Sequence, residues 1–109
     1  MDKSINRVFL KGKVGSTKII KTADSSAIRF SLATQNITKD RNDNPIVETW
    51  WHNVVAWQGK GIQDLEQIKK ESTAYIEGRL RYVRYISSDG TERVLTEILA
   101  DLITIENED

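Results

Sequence analysis

Ile46-Val47-Glu48-Thr49-Trp50-Trp51-His52-Asn53-Val54-Val55-Ala56-Trp57 is a long β-branched and aromatic run, and it reads as a strand. Gln58-Gly59-Lys60-Gly61 breaks it. Ile62, Leu65 and Ile68 then recur at three-residue spacing, which predicts one short amphipathic helix over residues 62–70. Strand signal resumes over residues 73–86. There Ala74, Ile76, Gly78 and Leu80 face one way, and Tyr75, Glu77, Arg79, Arg81, Val83 and Tyr85 face the other.

Working outward, residues 27–35 alternate, with Ile28, Phe30, Leu32 and Thr34 inward and Arg29, Ser31, Ala33 and Gln35 outward. Residues 5–14 alternate too. Asn6, Val8, Leu10, Gly12 and Val14 form one row, and Arg7, Phe9, Lys11 and Lys13 the other; Gly12 and Gly15 suggest a bend or bulge at that strand's end. Lys39-Asp40-Arg41-Asn42-Asp43-Asn44-Pro45 is a polar loop, and Asp89-Gly90 marks a hairpin turn. The last strand spans residues 93–105, with Val94, Thr96, Ile98, Ala100 and Leu102 as its most apolar row. Three strands, one helix and two strands is the order of the OB-fold, an all-β, five-stranded, partly open Greek-key barrel. Another small barrel or an α+β sandwich is the competing architecture.

The 109 residues allow one domain, expected over residues 1–105 with a short acidic end at 106–109. The hydrophobic share of 39% and charged share of 29% suit a globular chain and disfavour disorder. No apolar run is long enough for a membrane helix, and Met1–Arg7 lacks the apolar stretch of a secretory signal. The absence of cysteine excludes disulfides, thiol catalysis and thiolate zinc sites and fits a reducing cytoplasm. His52 is the only histidine, so a multi-histidine metal site is excluded. His52 is expected to be structural or an interface residue, since no nucleophile stands in a motif. The phosphate-loop pattern is absent. No cofactor, metal or enzymatic activity is expected.

Sixteen bases and sixteen acids cancel, which taken alone argues against nucleic-acid binding. Their distribution says more. Residues 1–22 hold six bases against Asp2, a net of +5, whereas residues 97–109 hold five acids and no base. A neutral chain with that asymmetry can carry a basic face. Arg7, Lys11 and Lys13 share a row with Phe9, and Arg79 and Arg81 share one with Tyr75 and Tyr85. Cations interleaved with flat rings are what a single-stranded nucleic acid requires: the cations track phosphates and the rings stack on unpaired bases. The same pattern is also that of a solvated face whose long stems cover neighbouring strands. Trp51 and Trp57 point to one face and Trp50 to the other, and alternation alone does not say which face is buried.

Taken together these residues resemble the bacterial single-stranded DNA-binding protein family, over about residues 5–105. The likeness is carried by Asn6-x-Val8-x-Leu10-x-Gly12-x-x-Gly15, Phe30-Ser31-Leu32-Ala33-Thr34, Thr49-x-Trp51-His52-x-Val54-Val55, Tyr75-Ile76-Glu77-Gly78-Arg79-Leu80, and Asp89-Gly90 followed by Thr96-Glu97. The resemblance implies sequence-nonspecific binding and protection of single-stranded DNA in replication, recombination and repair, in the cytoplasm on the nucleoid. It implies base stacking on Trp51, Trp57 and Tyr85. Phosphate contacts are expected from Arg7, Lys11, Lys13, Arg29, Lys39, Arg41, Arg79, Arg81 and Arg84. His52, Tyr75, Asn6 and Val8 are the expected subunit-interface residues, in a homotetramer or alternatively a dimer.

There are departures from the family pattern. Thr38 replaces a stacking tryptophan, Asn53 a common arginine, and Ser16-Thr17-Lys18 an acidic-proline step. Trp50 is an extra aromatic where the family is usually acidic, and Lys39 and Arg41 partly substitute in the loop. The chain stops at Glu106-Asn107-Glu108-Asp109 without a terminal hydrophobic residue, so recruitment of replication partners through a tail is not expected. A tailless primosomal OB adaptor similar to PriB is the alternative; an oligosaccharide-binding OB-fold is a third reading, disfavoured by the basic rows.

Overall fold

The computed structural model describes residues 3–59, 61, 62 and 64–106. Five strands, β1 (Val8–Lys21), β2 (Ser26–Lys39), β3 (Pro45–Trp57), β4 (Thr73–Ile86) and β5 (Glu92–Glu106), close a barrel in the order β1-β2-β3-β5-β4. All neighbouring pairs are antiparallel except β3 with β5, which run parallel at Val54–Ile98 and Val55–Leu99. The expected all-β OB-type order is therefore present. Of the acidic end, residues 107–109 lie outside the described residues.

The inward rows make the core. Val14, Ile28, Phe30, Leu32, Val54, Ala56, Ala74, Ile76, Ile98 and Ala100 are buried together, with Val8, Leu10 and Leu80 packed against them. Ile62, Leu65 and Ile68 are buried as predicted, but the helix expected over 62–70 is only a 3-10 turn, Leu65–Gln67. A 3-10 turn repeats every three residues, so three apolar residues at that spacing stack on one side without a full α-helix. Asp64 caps the turn by accepting from the Glu66 amide, and Glu71 then adopts φ 77°, turning the chain into β4.

Two bulges alter the simple alternation. β1 does not end at Val14. A register shift between Val14 and Thr17 lets it bend and continue to Lys21, changing partner from β4 to β2. In β5 the shift opposite Glu77/Gly78 makes Asp101 the extra residue, because Gly78 faces Ala100 and Glu77 faces Leu102. Past it, Ile103 and Ile105 pack on the core in place of the expected Leu102. Gly12 is required at the β1 crossover: a Cβ there would lie 2.0 Å from the Ala33 carbonyl oxygen.

The strands outrun the barrel. β1 reaches only Ala33 of β2, and β5 pairs with β3 only at Val54 and Val55. Among the described residues the rest of β2 and β3 pair only with each other, forming a protruding two-stranded arm, and the distal part of β4–β5 does the same. The radius of gyration is 16.3 Å, against roughly 13 Å for a compact domain of this length. The arms also explain why Val94, on the expected core row of β5, is exposed.

Candidate nucleic-acid interface

Strand registry decides what shares the outer face. Arg29 faces Val55, Val55 faces Leu99, and Leu99 faces Arg79, so one row crosses β2, β3, β5 and β4. By the two-residue repeat of strands, Trp51, Asn53 and Trp57 join this face from β3. Arg81, Val83 and Tyr85 join it from β4, and Leu95 and Glu97 from β5. Trp51 is 61% exposed, Trp57 47% and Tyr85 45%. The tie that alternation left between the two tryptophan rows is thereby broken: the Trp51/Trp57 row faces out. The rings are spaced apart; among the described residues the only cation–π contact is Arg7 over Phe9, 5.2 Å from the ring centre.

Trp51 lies against Gly15, where a Cβ would come within 2.6 Å of the indole and 2.5 Å of Ser31 Oγ. The bare glycine therefore lets the indole lie close against β1. Beside it opens a groove of about 500 Å³ lined by Lys11, Lys13, Gly15, Trp51, Lys70 and Glu71 among others. Lys70 was not among the expected site residues. It sits in the connection after the 3-10 turn, and only barrel closure brings it near a tryptophan of β3; no local pattern signals that proximity.

Six of the nine expected phosphate-binding cations already face carboxylates. Arg7 pairs with Glu77 at 3.8 Å, Lys11 with Glu106 at 3.1 Å, and Arg84 with Glu92 at 3.6 Å. Arg79 makes a two-pronged contact with Asp101 at 3.0 and 3.2 Å. Arg29 and Arg81 converge on Glu97, at 2.7 and 2.5 Å. Lys13, Lys39 and Arg41 form no ion pair among the described residues. Arg84 lies on the opposite face of β4 from Tyr85, since adjacent strand residues point opposite ways.

Glu97 is 1% exposed, an unusual place for a carboxylate on an outward row. Burial by itself raises its pKa. The hydrogen bonds and positive charges of Arg29 and Arg81 outweigh that and hold the carboxyl below its ordinary range. At the β4–β5 tip, the Ser87 hydroxyl and then the Thr91 amide bond to Asp89 and lower its pKa to about 2, fixing the turn that Gly90 permits at φ 83°. Asp40 plays the same part at the β2–β3 tip: amides of Asn44 and Asn42 donate to it and lower its pKa.

The expected interface residues gather around β1 and the inner side of the β2–β3 arm. His52 is half-buried with Nε2 2.8 Å from Thr34 Oγ1. Asn6 ties the chain before β1 to β4, its amide donating to the Leu80 carbonyl at 2.7 Å and its oxygen accepting from the Leu80 amide at 3.0 Å. Val8 packs on the core, and Tyr75 faces Lys11. Residues 8–12 pair with β4 alone, so their other edge is open to strand addition among the described residues.

Residues 5–106 match the model of the single-strand binding protein family. The chain is 39% identical over 103 residues to the single-stranded DNA-binding protein of Xanthomonas axonopodis pv. citri, covering 93% of this chain and 57% of that protein. It is 28% identical to the mitochondrial single-stranded DNA-binding protein of Danio rerio, covering 99% of this chain and 80% of the relative. The chain spans about 57–63% of the length of the bacterial relatives it matches at 38–39% identity. In fold it is similar to the Plasmodium falciparum SSB solved in complex with ssDNA, with a TM-score of 0.83 at 24% identity over 98% of this chain and 99% of that one. It is also similar to a small single-stranded DNA-binding protein of Streptomyces coelicolor, with a TM-score of 0.69 at 20% identity over 92% and 93% of the two chains. A closed five-stranded barrel with this strand order, matched to the family model along nearly all of its length, belongs to the single-strand binding protein family.

Proposed function

We propose that the chain binds single-stranded DNA without reading its sequence, by stacking bases on Trp51, Trp57 and Tyr85 while cations track the phosphates. The observation that carries this is the exposure of all three rings on one outer face beside guanidinium groups. A buried aromatic would be packing; a ring open to water on a cationic face offers its π-surface to a base. Lys13, Lys39 and Arg41 supply uncommitted charge, and the paired arginines exchange a carboxylate for a phosphate. Binding and protection of exposed strands during replication, recombination and repair, in the cytoplasm on the nucleoid, is the role that follows. The open edge of β1 supports a homo-oligomer, a tetramer by preference, in which several barrels share one strand and weak contacts sum. The mechanism uses no catalytic group, metal or cofactor. No feature of the outer face favours the primosomal-adaptor alternative.

Salt dependence tests the phosphate track. Each neutralised phosphate contributes roughly −0.7 to the slope of log K against log salt on single strands. Engagement of the three unpaired cations alone gives about −2 per protomer, and all nine give about −6. We expect a slope between these limits, steeper than −2 by about 0.7 for each paired cation that exchanges its carboxylate for a phosphate. A flat dependence removes the basic rows from the interface.

A further inference from the structure

We propose that Trp50 gives the β2–β3 arm a second stacking face, so that a single strand leaving Trp51 passes round the arm's free edge and stacks a further base on Trp50. The proposal rests on the strand-binding reading above. Among the described residues, β2 beyond Ala33 has no partner but β3, and β3 before Val54 has no partner but β2. The arm is therefore a ribbon whose β3 edge is open before Val54 and whose β2 edge opens beyond Ala33, among the described residues. Trp50 and Trp51 are successive residues on it, so their rings lie on opposite faces. Trp50 is 51% exposed, nearly as open as Trp51, and lies on the same face as the expected interface residue His52, two residues farther out along the arm.

Among the described residues the arm carries no core residue beyond Leu32 and Val54, so Trp50 is not there to fill one. Its indole N–H donates to Glu48 Oε2 at 3.3 Å, which occupies the polar edge and leaves the π-surface for another ring. The floor around it is fixed: Thr34 faces Trp50 across the strands and is itself hydrogen-bonded to His52. Lys39 and Arg41 stand at the end of the same arm without carboxylate partners among the described residues, placed to follow phosphates that cross from one face to the other. A ribbon two strands wide is thin enough for one nucleic-acid strand to touch both sides. The ligand class is an unpaired, flexible single strand, since a stiff duplex cannot turn around so narrow an edge.

The test uses the full chain carrying Trp50→Ala, Trp50→Phe or Trp51→Ala. Each is titrated with a long oligothymidine for affinity and nucleotides occluded per protomer, with solution mass measured on the same samples. Trp50→Ala is expected to weaken binding by about 5- to 150-fold, the range for loss of one stacked base, and to shorten the occluded length. Trp50→Phe restores most of both, and the mass does not change. Wild-type affinity and occlusion for Trp50→Ala, with weakened Trp51→Ala, overturns the second face and leaves the first intact. A smaller assembly for Trp50→Ala shows that a second copy of the chain covers the face and overturns it too. If neither tryptophan variant binds more weakly, the strand-binding reading falls as well.

Discussion

Replacing Trp51 and Trp57 together by alanine is expected to weaken binding of oligothymidine by about 2–6 kcal/mol at low salt, since each stacked base is worth about 1–3 kcal/mol. The two rings are far apart along β3, with five residues between Trp51, opposite Ala33, and Trp57, opposite Ala27. Side chains that share no partner add their effects, so the double variant should show nearly the sum of the singles. Both rings are exposed, so their loss leaves the core untouched. The unfolding midpoint should stay within the small range typical of surface changes, roughly 0.5 kcal/mol. Affinity by titration and stability by denaturant unfolding, measured on the same preparation, separate the two effects. A double variant that binds as well as the parent places the stacking elsewhere.

Loss of the Glu97 carboxylate should be the costliest change on the outer face for stability. Glu97→Ala is expected to lower stability by about 2–3 kcal/mol at pH 7. It removes two hydrogen bonds to charged groups and leaves a small void. The cost is less than for a fully buried pair, because Arg29 and Arg81 are 45% and 39% exposed and water rescues them. The effect depends on pH with a definite sign. The folded carboxyl titrates below the ordinary glutamate value of 4.5. Its contribution is therefore complete above that value and is lost as pH falls through the lower folded value. The gap in urea midpoint between parent and variant should be full at pH 7 and narrow below pH 4.5. A gap that does not change with pH removes the ion pairs as its cause.

Much of the architecture was legible because the inward rows are regular. Ile28, Phe30 and Leu32 on one strand and Ala74 and Ile76 on another alternate without interruption, and a closed sheet buries one side of each strand. The Ile62, Leu65 and Ile68 plug was visible for the same reason, though three-residue spacing fits a single 3-10 turn as well as a helix. The bulges were not legible in full. Gly15 hinted at the one in β1, but nothing around Asp101 marks an extra residue, because a bulge is fixed by the partner strand. The arms escaped notice since their residues keep strand periodicity with no core beneath. Ion pairing was the largest gap: Arg29 and Glu97 are 68 positions apart and meet only through barrel closure. The three rings are an intermediate case, since alternation gave their shared face, and the structure and the family likeness gave its direction.

The most direct measurement is intrinsic tryptophan fluorescence during titration with oligothymidine and, separately, with duplex DNA of equal length at low salt. The stacking account predicts strong quenching that saturates with the single strand, and little or none with the duplex, whose bases are already stacked. Equal quenching by both, or no quenching by the single strand, contradicts it.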